Sequence, residues 1–206
     1  MTTRTQKASQ MPSRNYILKI SLKHSEPLIW RRIEVPAKIK LSRLHTVVQS
    51  VMGWTNSHLH MFHSHLYGTF SSNYDDMLDA GGEPDDQDET KFRLDQLLHR
   101  ARMKMSYIYD FGDHWEHDIV LEKIVPGFDD ALLPYCYDGE NACPPEDCGG
   151  IPGYEHIKSI LTDPENEEYN DTLDWLGDED FDPAFFSVHF TNMRLEQLRR
   201  KGRRKT

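Results

Sequence analysis

The residues best equipped for chemistry crowd a single bend: Asp110, Asp113, His114, Trp115 and His117 all fall within Tyr107–His117. Two runs with strand-like alternation flank a Phe-Gly-Asp turn there. Met105, Tyr107 and Tyr109 share one face before it, and Trp115, His117, Ile119 and Leu121 share one after it. The pattern predicts a β-hairpin whose tip carries carboxylates and imidazoles. Asp and Gly are also ordinary turn formers, so the bend alone names no reaction. A carboxylate pair from Asp110 and Asp113 is one formal route to acid–base work, and a Cys–His nucleophile pair is another. The cysteines stand among Asp and Glu, which raise a thiol pKa where a nucleophile needs it lowered.

Those cysteines are the second chemical feature. Cys136, Cys143 and Cys148 are spaced C-x6-C-x4-C, with Pro144-Pro145 and Gly149-Gly150 shaping the loop. Thiolates bind zinc well, and three of them plus one imidazole complete a tetrahedral site. His117 is the expected fourth ligand, because it lies on a strand leading towards Cys136. The short C-x2-4-C pairs of zinc fingers are absent. A zinc site, three reduced thiols and a local Cys143–Cys148 disulfide therefore stay open. His58 with His60, and His63 with His65, form two strand-spaced pairs that could chelate a metal. Asp178, Asp180 and Asp182 imitate the start of a calcium loop, but Pro183 replaces the turn glycine and His189 the bidentate Glu. No phosphate-binding glycine loop, GxSxG or HExxH is present.

These groups need elements to position them. Tyr16, Leu18, Ile20 and Leu22 alternate as a strand, and Ile29, Arg31, Ile33 and Val35 follow after Glu26-Pro27. Pro36 ends that second strand. Leu41, Leu44, Val47, Val48 and Val51 then recur at helical spacing, with Gly53 as the stop. The spacing predicts strands over 16–23, 29–35, 59–67, 104–110 and 115–124, and a helix over 41–52. Residues 71–90 read as a long acidic loop, and Phe92 to Leu98 suggest a short helix. Helical spacing resumes at Tyr154 to Leu161 and at Leu173 to Leu176, and Leu195 and Leu198 suit a closing helix. The expected architecture is α+β: one domain with a largely antiparallel sheet and packed helices, helix 41–52 covering one face.

Composition sets the limits. The 206 residues suffice for one domain with a real core, and no apolar run approaches the roughly 18 residues of a membrane span. Residues 1–13 lack the apolar centre of a secretory signal and read as a disordered leader, so a cytoplasmic location without membrane contact is expected. The net charge is −10. Between Ile124 and Met193 seventeen acids face one base, Lys158, whereas Arg194 to Thr206 holds seven bases and one acid. An acidic body argues against broad nucleic-acid binding, while the basic tail at 199–206 offers a weak phosphate contact.

Several stretches point further when taken together. They are Ile29-Trp30-Arg31-Arg32-Ile33 with Val35-Pro36, Leu44-His45 with Gln49, and Met52-Gly53-Trp54 with His58-Leu59-His60. Tyr109-Asp110-Phe111-Gly112-Asp113, Trp115-Glu116-His117, Cys143-Pro144-Pro145-Glu146-Asp147-Cys148-Gly149-Gly150 and Gly153-Tyr154 continue the series. In order and spacing they resemble the plasmid pRiA4b ORF-3-like family, proteins similar to the third open reading frame of an Agrobacterium Ri plasmid, over roughly residues 16–195. Some members carry a transposon-resolvase-like (TnpR) label. The resemblance implies a single α+β domain over 14–198, an α/β roll with the 71–90 loop inserted, and an association with plasmids and mobile elements. Recombinase chemistry is not legible: it needs a nucleophilic Ser among several Arg and a helix-turn-helix reader, whereas Arg31 and Arg32 alternate on a strand. The expected function is a noncatalytic binding or accessory protein with a protein partner. Its surface would comprise Trp54, His58, His60, Asp110, Asp113 and Trp115. The alternative is a small metal-assisted hydrolase or nuclease using the same His and Asp groups. Zinc at Cys136, Cys143, Cys148 and His117 is the expected cofactor.

Overall fold

Alternation makes the first strand, β1 (Arg14–Leu22), which buries Tyr16, Leu18, Ile20 and Leu22 on one face and leaves Ile17, Lys19 and Ser21 half-buried on the other. The computed structural model of the protein describes residues 13–72, 86–127, 132–177 and 181–203. In it β1 is the inner strand onto which the rest of the sheet is built. On one side β2 (Trp30–Pro36) runs antiparallel, with Leu18 opposite Ile33 and Ile20 opposite Arg31. On the other side β7 (Trp115–Pro126) pairs antiparallel, and β6 (Lys104–Tyr109) returns along it as the expected hairpin.

Beyond β6 the sheet continues through β3 (His60–Ser64) and β4 (Gly68–Ser71) to a two-residue parallel edge, β5 (Gln87–Asp88). The opposite edge is β8 (Tyr135–Glu140), beside β2. The order is therefore β5-β4-β3-β6-β7-β1-β2-β8.

The helix α1 (Leu41–Met52) buries Leu41, Leu44, Val47, Val48 and Val51, and those side chains join the sheet's inner face in one core. Gly53 ends it at φ 105°, a left-handed conformation that glycine adopts without Cβ strain. The remaining α-helices among the described residues are α2 (Leu94–Leu97), α3 (Gly150–Leu161), α4 (Tyr169–Leu176) and α5 (Val188–Arg203). α5 packs on α1 and on β8. There Asn192 accepts from the Cys136 N–H at 2.9 Å and donates to the Cys136 carbonyl at 2.8 Å. The molecule is thus a single α+β domain with an open, mostly antiparallel eight-stranded sheet. No helix among the described residues is long and apolar enough to cross a membrane.

Three expected boundaries change. The strand expected over 59–67 is shorter: β3 ends at Ser64, Leu66 and Tyr67 lie exposed in the turn after it and only imitate a strand pattern, and β4 starts at Gly68. The acidic loop over 71–90 ends in β5 and a 3-10 turn, Glu89–Lys91, with Glu89 buried; residues 73–85 lie outside the described residues. The basic tail drawn from 199 starts inside α5, where Arg199 donates to the carbonyls of Pro134 and Leu132 at 2.7 and 3.2 Å. The leader up to residue 12, Asp178, Asp180 and residues 204–206 also lie outside the described residues.

Candidate functional site

Three loops meet at one end of the sheet. The first is the β6–β7 bend, where Asp110 and His114 take positive φ values of 57° and 55°. Asp tolerates this region because its short side chain bonds the local backbone. Asp110 Oδ1 accepts from the Gly112 N–H at 2.9 Å and from the Asp113 N–H at 3.4 Å. The second is the α1–β3 link, tied to the bend by the Asp110 N–H donating to the Leu59 carbonyl at 2.9 Å, and containing Asn56 at φ 65°. The third is Cys143 to Gly149, with Asp147 at φ 59°. Non-glycine residues in this region of backbone space cost energy that surrounding contacts must offset.

Side chains stitch the loops together. Trp54 Nε1 donates to the Pro144 carbonyl at 3.0 Å. Glu146 accepts from the Thr55 N–H at 3.2 Å, from the Thr55 hydroxyl and from the Tyr109 hydroxyl. Burial pushes the Glu146 carboxyl up, but these hydrogen bonds outweigh it and hold the pKa below the usual carboxylate value. The Gly149 N–H donates to Asp113 Oδ2 at 3.2 Å. Gly150 sits so close that a Cβ there would lie 2.6 Å from the Asp113 carbonyl oxygen. Trp54 forms the apolar support, with ring centroids 4.9 Å from Tyr109, 6.0 Å from Trp115 and 5.3 Å from His117.

One group of atoms at this end is not used in closing the loops. His58 Nε2 lies 3.1 Å from Asp147 Oδ1 and 3.7 Å from Asp110 Oδ2. The nitrogen is buried, yet it aligns with neither carboxylate as a hydrogen bond. Among the described residues, this is the only group of three or more potential ligands with atoms mutually within 4.8 Å. One imidazole and two carboxylates suit a divalent cation such as zinc or manganese.

The six residues expected to form the surface divide. His58 and Asp113 are half-buried, whereas Trp54, His60, Asp110 and Trp115 are buried. His60 and Trp115 lie on the inner face of the sheet, opposite and beside Tyr109, so they support the site from below and do not form its rim. His60 belongs to a neighbouring polar network. Its ring stacks on His45 at 3.4 Å, and its Nε2 meets Glu89 Oε2 at 2.9 Å. His45 in turn bonds the Tyr107 hydroxyl through Nδ1 at 2.8 Å and Asn56 Oδ1 through Nε2 at 2.6 Å. Gln49 donates to the same Tyr107 hydroxyl at 2.9 Å. A neutral His45 with its hydrogen on Nε2 satisfies both contacts, and burial holds its pKa down to about 3.

Cys136, Cys143, Cys148 and His117 are the zinc ligands expected from the sequence. They do not form a group of three or more ligand atoms within 4.8 Å of one another. All three thiols are free. Burial pushes Cys136 up to about 11 and Cys143 and Cys148 up to about 12, although Arg31 and Arg194 pull on Cys136 and Cys143 in the opposite direction. Two guanidiniums beside those sulfurs repel any metal cation approaching them. Cys148 instead faces Asp113 and Asp147. His117 is fully buried, its Nδ1 meets the Tyr107 carbonyl at 3.2 Å, and burial lowers its pKa to about 4. Asp147 was not singled out by sequence reasoning. Its only signal was position, an acid between Pro144-Pro145 and Gly149-Gly150.

Comparison with known proteins places the chain. Residues 14–189 match the family of plasmid pRiA4b ORF-3-like proteins. An uncharacterised protein of Sinorhizobium fredii (strain NBRC 101917 / NGR234), y4hQ, is 38% identical over 201 residues, covering 92% of this chain and 96% of that one. The crystal structure of a protein of unknown function from Methanosarcina mazei Go1 superposes with a TM-score of 0.74 at 36% identity, covering 87% of this chain and 98% of that chain.

Proposed function

The chain belongs to the plasmid pRiA4b ORF-3-like family, and we propose that it is a noncatalytic binding protein, an accessory factor to plasmid-borne genes and mobile elements. Its ligand surface is the three-loop end of the sheet, where His58, Asp110 and Asp147 hold a divalent cation. The observation that carries this reading is how the carboxylates are used. Asp110 Oδ1, Asp113 Oδ2 and both oxygens of Glu146 are engaged in closing the loops. Asp110 Oδ2 and Asp147 Oδ1 are the carboxylate oxygens that lie against His58 Nε2. A hydrolytic ion needs a free base within reach of its bound water, and both oxygens of Glu146 are already engaged by Thr55 and Tyr109. An ion held this way links the surface to an acidic group on a protein partner. The basic residues beyond Arg199 add a weak, salt-sensitive contact to nucleic acid.

The second reading is a metal-assisted hydrolase or nuclease at the same residues. It is favoured by the ligand count, since three protein ligands leave coordination positions open for water and substrate. Zinc titration calorimetry with metal analysis locates the ion, and a phosphodiester cleavage assay separates the readings, using the wild type, His58→Ala and Cys143→Ser. Zinc bound by the wild type and lost in His58→Ala is the expected result. Zinc kept by His58→Ala but lost in Cys143→Ser would move the ion to the thiols. Metal-dependent cleavage of bis(p-nitrophenyl) phosphate that disappears in His58→Ala would overturn the noncatalytic reading.

A further inference from the structure

A cavity of about 510 Å³ opens between α5, the end of α1 and the loops around Cys143 and Phe186. Its charge runs against that of the whole chain. In a protein of net charge −10, this cavity is lined by two guanidiniums, Arg31 and Arg194. Arg194 is near enough to weaken the charged form of Arg31, although burial weakens it more. Among the described residues neither has a carboxylate partner. Glu146 also lines the cavity, but its carboxylate is held by Thr55 and Tyr109.

The two arginines have different tasks. Arg31 is 2% exposed and donates to four backbone carbonyls: Val51 at 3.1 Å, Trp30 and Glu140 at 2.8 Å each, and Asn141 at 2.9 Å. It holds β2, β8 and the end of α1 together, and it lies over the Phe186 ring at 4.2 Å. Arg194 is solvent-exposed, yet surrounding protein desolvates it enough to lower its pKa. It has no hydrogen-bond partner among the described residues, and its Nη1 would lie 3.3 Å from a Cβ at Gly53.

A separate observation concerns Thr191, also in the wall. It is 1% exposed, and its hydroxyl has no hydrogen-bond partner among the described residues. Buried polar atoms are rarely left unpaired, so an orphan in a cavity wall marks where a ligand atom belongs. Five aromatic rings also line it: Phe181, Phe185, Phe186, Phe190 and Trp54. Cavities of this size that combine apolar walls with a few convergent polar groups take small molecules.

We propose that this cavity binds a small aromatic acid, its anionic oxygens meeting the Arg194 guanidinium and the Thr191 hydroxyl and its ring lying among the phenylalanines. Arg31 supplies a fixed positive field behind the acid group. The site is separate from the His58 cluster and does not require a metal.

Thermal shift and calorimetry on the full chain test it with three probes: benzoate, phenyl phosphate and benzyl alcohol. Benzoate or phenyl phosphate should raise the melting temperature in a saturable manner, and the tighter of the two identifies the acid group. Benzyl alcohol, with the ring but no charge, should not. Arg194→Met keeps the stem and should weaken the acid about tenfold or more, as expected for losing one charge-assisted hydrogen bond. Thr191→Val should also weaken it while leaving the free protein as stable as the wild type, which excludes misfolding as the cause. Saturable binding of neither acid, equal binding of benzyl alcohol, or unchanged affinity in both variants would each overturn the proposal.

Discussion

Two histidine clusters share the walls of one cavity of about 580 Å³, and they differ in how far their hydrogen bonding is complete. In the inner cluster both nitrogens of His45 and the Nε2 of His60 have partners, and the rings stack nearly parallel at 3°. In the outer cluster the Nε2 of His58 lies close to two carboxylates and is aligned with neither. Residue type is the same in both. What separates a structural network from a site is whether the polar atoms are already satisfied within the chain.

The difference can be tested first at its largest expected effect. His60→Ala strips the buried Glu89 carboxyl of its imidazole, and loss of one partner of such a pair costs about 3–5 kcal/mol. Urea unfolding should show that loss while zinc binding at His58 persists. A cost under about 1 kcal/mol would mean the inner cluster does not hold the fold and the comparison fails.

A smaller effect concerns acid. His45 and His117 have folded pKa values of about 3 and about 4, below the ordinary 6.5, because burial disfavours their charged forms. The unfolded chain then binds more protons than the folded one between 6.5 and those values. Stability is therefore fully present above 6.5 and falls as the pH drops, at up to roughly 1.4 kcal/mol per pH unit for each histidine. Carboxylates such as Glu122, held down by its hydrogen bond from Arg32, contribute only below their ordinary 4.5. Unfolding midpoints that stay flat from pH 6.5 down to the carboxylate range would show that the inner imidazoles are not kept neutral.

The smallest effect is expected at the rim. His58→Ala should change stability by no more than about 0.5 kcal/mol, because the imidazole makes no aligned hydrogen bond and is partly exposed. Its consequence belongs to metal binding alone. A loss of several kcal/mol in metal-free protein would assign His58 to the fold and dissolve the distinction.

Much of the frame was legible in the residues. The period-two runs in β1, β2, β6 and β7 and the helical period of α1 each bury one face, and burial of one face is what such periods encode. β8 was not legible, since Tyr135–Glu140 buries only Cys136 and reads as a polar loop. An edge strand needs little apolar pattern because its register comes from its neighbour. Half of the site was equally visible: Asp110 and Asp113 announce a bend, and His58 lies near the Trp54 motif. Asp147 could not be paired with them, because three loops distant in sequence meet only once the sheet has formed. The thiols drew attention by type, but the sulfurs of Cys136 and Cys143 lie beside Arg31 and Arg194, a neighbourhood that spacing does not encode.

The paired contact between Asn192 and Cys136 has a consequence for how copies of this chain meet. β8 borders the sheet on one side only, and a bare border offers alternating donors and acceptors to any extended peptide. Asn192 answers one N–H and one C=O of that border with a side-chain amide, the same pair of groups that a docking backbone would present. A helix residue thus counterfeits a ninth strand for the length of one residue. It fills the point where growth of the sheet from molecule to molecule would begin.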